Sequence, residues 1–142
     1  MRKFAALAVL AALCASASSA GGAEPDHDIV LPARVEASAA APGEGSFSLT
    51  IAPRPGYRVS ADAPLIIAAE VVDEATGLVL RRQRYRRRHA ADPRAAAPRF
   101  DIGYRVAQPG RYQVQLELTL WVCARRTCRP VRASRVVEID AR

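Results

Sequence analysis

Lysine is almost missing from this chain. Lys3 is the only one in 142 residues, so every later basic side chain is arginine. Arginine never loses its charge and pairs bidentately with carboxylate or phosphate. Histidine is scarce as well. His27 and His89 are isolated, and no third ligand stands at metal spacing, which argues against a zinc site. With no histidine near Cys123 or Cys128, a cysteine hydrolase pair is not expected either. Convincing helical periodicity is missing, because proline and glycine interrupt the alanine-rich runs. No internal repeat and no second domain can be read, and no residue pattern calls for a cofactor. Nothing beyond the first residues suggests a transmembrane segment.

What is present is ordinary for a soluble globular protein: 50% hydrophobic and 25% charged residues. The first residues read as a targeting segment. Met1-Arg2-Lys3 is basic, Phe4 to Leu13 is apolar but too short to span a bilayer, and A-x-A-like sites end at Ala17, Ala20 and Ala23. A signal peptide over 1–23 and a mature domain over 24–142 are expected, with a periplasmic or secreted destination. Cys14 raises a lipoprotein alternative, disfavoured because Leu13 stands where a lipobox wants a small residue. Removing Arg2 and Lys3, with no acid lost, takes the net charge from +7 to +5. About 120 residues then remain, enough to bury a core without obligatory staples.

Along the mature chain the strand signals repeat. Asp28 to Val35 is apolar, with Pro32 marking an edge or irregular strand. Ser46 to Ala52 alternates, placing Phe47, Leu49 and Ile51 on one face. Pro53 to Gly56 is a turn, and Tyr57 to Pro64 a loop or short strand, in which Ser60 and Asp62 cap rather than catalyse. Leu65 to Val72, Leu78 to Tyr85 and Phe100 to Val106 follow as strands. Arg111 to Cys123 puts Tyr112, Val114, Leu116, Leu118, Leu120 and Val122 on one face. Arg129 to Ile139 points Val131, Ala133, Val137 and Ile139 inward. Seven or eight short strands predict an all-β, immunoglobulin-like antiparallel sandwich.

The chemistry-bearing residues are Cys123 and Cys128. Four residues separate them, a common hairpin loop length, and facing cysteines across such a ladder can bridge. Strand alternation predicts both sulfurs on the face away from the core, beside Trp121 and Arg132. In an oxidising compartment the pair forms a disulfide or cycles through one. Closing so small a loop contributes only roughly 2 kcal/mol in the chain-entropy model. Arg125, Arg126 and Arg129 crowd the thiols, and positive neighbours favour thiolate. These arginines and Trp121 are therefore candidates for tuning the sulfurs or docking a partner. A half-exposed sheet aromatic is the plainer reading of Trp121, and an inert staple that of the cystine.

Two segments carry a family resemblance. Pro55-Gly56-Tyr57-Arg58-Val59-Ser60-Ala61-Asp62-Ala63-Pro64 resembles the PGY-type segment in the N-terminal domain of the thiol–disulfide interchange protein DsbD and its stand-alone relatives. Trp121-Val122-Cys123 through Cys128-Arg129-Pro130 resembles the cysteine hairpin of that family. The resemblance spans about Asp28 to Ile139. It implies an immunoglobulin-like periplasmic domain acting as a disulfide reductase or electron relay. Cys123 and Cys128 would be its reactive pair. Its partners would be other exported thiol–disulfide proteins or a membrane-embedded reductant, with no nucleic acid. The chain departs from the family in its Arg-rich loop, where relatives often carry acids. The alternative is a secreted binding module with the cystine as a staple and Arg81 to His89 as a docking edge. A plain reading of that run is a solvated strand edge.

Overall fold

The computed structural model describes residues 27–30, 34–37, 43–72 and 77–142. Ten strands lie among them: β1 (His27–Val30), β2 (Arg34–Ala37), β3 (Gly43–Pro53), β4 (Tyr57–Val59), β5 (Ile66–Val71), β6 (Leu78–Leu80), β7 (Arg84–Arg86), β8 (Arg99–Val106), β9 (Gly110–Ala124) and β10 (Thr127–Ala141). A single 3-10 turn, Arg87–His89, is the only helical piece among the described residues. The segment expected to be a signal peptide, 1–23, lies outside them, as does Pro32.

The strands form two sheets. One has the order β1-β3-β8-β6. The other runs β2-β10-β9-β5-β7, with β4 also on β9. Every pairing is antiparallel except β2 with β10, which is parallel. The architecture is an immunoglobulin-like β-sandwich, with more strands than the sequence suggested. Two expected strands each divide between the sheets. Asp28 to Val35 becomes β1 and β2, and Leu78 to Tyr85 becomes β6 and β7. The second division follows from the polar Arg81-Arg82-Gln83. Arg81 N–H still bonds Gly103 in the first sheet, while the Gln83 carbonyl already accepts from Ala69 N–H in the second.

Period-two alternation decides what is buried. Phe47, Leu49 and Ile51 of β3 meet Phe100, Ile102, Tyr104 and Val106 of β8 on the inner face of the first sheet. Opposite them, β5 supplies Ile67 and Ala69, and β9 supplies Val114, Leu116, Leu118, Leu120 and Val122. Each large apolar side chain so enclosed stabilises the fold by about 1.5–3 kcal/mol. Tyr85, from the edge strand β7, is buried edge-on to Phe100 with ring centroids 6.4 Å apart. The inward positions expected on β9 and β10 are all buried or half-buried.

Candidate functional site

β9 and β10 make one long hairpin, paired without a break from Ala124↔Thr127 to Gly110↔Ala141. The turn is tighter than four residues. Ala124 and Thr127 still pair, leaving Arg125 and Arg126 alone at the tip. A two-residue turn requires an unusual backbone, and Arg125 provides it at φ 46°. That left-handed conformation costs a residue with a Cβ about 1 kcal/mol.

One pair in from the tip, Cys123 stands directly opposite Cys128. Their Cα atoms are 4.0 Å apart and the sulfurs are bonded at 2.03 Å. Residues directly opposite in an antiparallel ladder share a face. Cys123–Cys128, Trp121–Pro130 and Thr119–Arg132 therefore form successive rows on the outer face of the six-stranded sheet. Unlike the antibody-type bridge, the cystine lies within one sheet rather than across the core.

The two cysteines are not equally accessible. Cys128 is exposed, whereas Cys123 is only 6% exposed. Strand alternation placed both on the outer side, and the register agrees, yet Cys123 is covered. Its strand has neighbours on both flanks: Cys128 on β10, and Arg58 on β4 directly across from it. Trp121, half-buried, is next in line along the same face.

Arg125 and Arg126 are exposed at the tip, as the sequence suggested. Arg129 is not on the cysteine face. It pairs with Val122, a core residue, so it leaves on the inner side although exposed. Arg58 went unnoticed in the sequence, 65 residues before Cys123, because only β4 pairing brings it there. Its neighbours Pro55 and Gly56 form a turn closed by Tyr57 N–H to the Arg54 carbonyl at 3.0 Å. Gly56 holds φ 84°, the value a proline–glycine turn of this kind requires. That turn and the hairpin tip enclose an open notch of about 660 Å³ lined by Gly56, Tyr57, Ala124, Arg125, Arg126 and Thr127.

The second candidate, Arg81 to His89, is largely tied into the fold. Arg81 pairs with Glu44. Arg82 stands over the Tyr85 ring, 5.8 Å from its centroid. Arg87 donates to the carbonyls of Pro93 and Ala95, each at 2.5 Å. His89 Nδ1 accepts from Arg86 N–H at 3.0 Å. Burial, then the charges of Arg82, Arg88 and Arg86, hold its imidazole below the usual pKa. Arg84 and Arg86 remain exposed on β7, the sheet edge, where charge discourages pairing with another chain. Among the described residues no group of three or more His, Cys, Asp or Glu could hold a metal ion, and no helix is long and apolar enough to cross a membrane.

No family model and no curated protein matches the chain. Among solved structures it is similar to AggA, the major subunit of aggregative adherence fimbriae type I from Escherichia coli, at 10% identity and TM-score 0.40 over 82% of this chain and 94% of that one. It is also similar to murine CRIg, at 10% identity and TM-score 0.43 over 82% and 98%. The CooA pilin subunit of enterotoxigenic Escherichia coli is a third, at 8% identity and TM-score 0.38 over 83% and 99%. Nothing about the role of this chain follows from these likenesses.

Proposed function

We propose that this is an exported domain that exchanges its Cys123–Cys128 disulfide with the thiols of partner proteins. One observation carries the reading: the bond is at the end of a hairpin, with one sulfur-bearing residue exposed and the other covered. An incoming thiolate is offered Cys128. Attack there forms a mixed disulfide between the partner and Cys128, breaks the Cys123–Cys128 bond and releases Cys123 as a thiolate. A second partner thiolate then resolves the mixed disulfide, leaving two reduced cysteines and an oxidised partner. In the reverse direction Cys128 attacks a partner disulfide and Cys123 resolves it. The resemblance to the DsbD N-terminal domain supports the same assignment, and a disulfide is itself characteristic of oxidising compartments. Partners would be exported thiol proteins or a membrane-embedded reductant.

Two measurements test this. The reduction potential of the pair should lie above about −300 mV, since structural bonds lie below that. In cells, Cys123→Ser should trap mixed disulfides through Cys128, and Cys128→Ser should trap few. A potential below that limit, or the opposite trapping pattern, would refute the assignment. A binding module with a structural cystine is the second reading, favoured by the exposed Arg84 and Arg86 on the β7 edge. It requires a double Cys→Ser variant to keep full partner binding.

A further inference from the structure

We infer that Arg58 selects Cys123 as the leaving sulfur, by holding its charge beside the thiolate that exchange sets free. This rests on the exchange reading above and adds the group that stabilises the product of the first step.

The covering of Cys123 poses the problem. When a partner thiolate attacks Cys128, a bond forms between the partner's sulfur and Cys128 Sγ, and the Cys123–Cys128 bond breaks. The bonding pair leaves with Cys123 Sγ, which becomes a thiolate. Enclosure by itself disfavours that charge and raises the pKa of a thiol, and a sulfur of high pKa leaves slowly. Cys123 is 6% exposed, so ready exchange needs a cation beside it.

The register supplies one. Arg58 of β4 is the cross-strand partner of Cys123 on one flank, as Cys128 is on the other, and the three share one row of the outer face. Directly opposite positions hold their Cβ atoms about 4.5–5.5 Å apart, within the length of an arginine side chain. β4 is short but fixed on both sides. Ser60 N–H donates to the Trp121 carbonyl at 2.8 Å, and Val59 N–H donates to the Ala96 carbonyl at 3.0 Å. Arg58 is exposed and forms no ion pair with a described residue, so none of their carboxylates cancels its charge.

The other charged groups around the cystine are less well placed. Arg132 shares the face but stands four residues beyond Cys128, about 13 Å at the rise of a strand and past the Debye length at about 0.1 M salt. Glu117, on β9 itself, is six residues from Cys123, about 20 Å. Arg125 and Arg126 are exposed beyond the ladder, where solvent screens them, and Arg129 takes the inner face. Asp62, exposed in the loop after β4, is the acid nearest to Arg58 in sequence and lies past the end of that strand.

The test follows the Cys123 thiolate by its ultraviolet absorbance in a full-length Cys128→Ser chain, with the chain carrying both Cys123→Ser and Cys128→Ser as blank. Arg58→Gln should move the titration of Cys123 up by about one pH unit, and Arg58→Lys should restore most of it. The same substitutions in a Cys123→Ser chain should move Cys128 no more than about half as far, because β9 separates it from Arg58. In the oxidised chain, Arg58→Gln should slow reduction by mercaptoethanol, a neutral thiol, about threefold. Urea midpoints check that the variants stay folded. An unmoved Cys123 titration beside normal reduction would overturn this inference and leave the exchange reading standing. Equal shifts at both cysteines, or a lysine that restores nothing, would give Arg58 a structural role only and overturn it as well. A folded cystine that mercaptoethanol does not open would overturn the exchange reading and this assignment with it.

Discussion

If the cystine is exchanged rather than merely kept, the fold must survive its loss with little change. Reducing the bond with a phosphine leaves every side chain in place, so the comparison with the oxidised chain isolates the crosslink. The loop it closes is short, with a sequence separation of 5. Chain entropy for about six residues gives about 7 cal/mol/K, or about 2 kcal/mol at 25 °C. This is an upper figure, because the ladder from Ala124↔Thr127 to Gly110↔Ala141 already specifies the register. Urea unfolding of both forms should therefore show a loss of at most about 2 kcal/mol with nearly equal m-values. By linkage, the folded pair would be about 45 mV more reducing than the same pair in the unfolded chain, since about 30 mV corresponds to 1.4 kcal/mol. A loss above about 4 kcal/mol, or a reduced chain with no cooperative transition, would refute the reasoning. The hairpin would then depend on its bond, and a relay could not open it without unfolding.

Three further outcomes follow from the geometry. Phe100→Ala removes a fully buried ring that meets Tyr85 and should cost about 3–5 kcal/mol in urea denaturation, with a change under 1 kcal/mol counting against the packing described. Arg125→Gly relieves the left-handed backbone and should raise stability by about 1 kcal/mol, read as a higher urea midpoint. His89 titrates below the free imidazole, so its folded form favours the neutral ring whose Nδ1 accepts from Arg86. Its contribution is present above about pH 6.5 and is lost as pH falls through the lowered folded value. NMR should show His89 protonating below the reference peptide, and His89→Gln should flatten the stability loss over that range.

How much of this was legible beforehand depended on sequence distance. The inward faces of β3, β8, β9 and β10 were readable because a period of two writes burial directly into the chain, as Phe47-Leu49-Ile51 does. The facing of Cys123 and Cys128 was readable because only a turn separates them. Arg58 was not, since nothing local says that β4 will pair beside Cys123. The covering of Cys123 was missed for the same reason: alternation tells which face a residue takes, not what lies on either side of it. Arg129 was placed with the cysteines by proximity in sequence, and one step along a strand put it on the other face. The split of Leu78 to Tyr85 between sheets was hidden because the segment looks continuous by composition.

The parallel pairing of β2 with β10 joins Arg34 to Glu138, positions about as distant as the fold allows. Such a contact closes a very long loop, and topologies of that kind assemble slowly. The β9–β10 hairpin zips locally and brings its sulfurs together early, while β2 finds its place only after Thr127–Ala141 has been laid down. During that interval the flank of β10 stands bare and can pair with another copy. The seam to watch in refolding is therefore this long-range closure, not the disulfide.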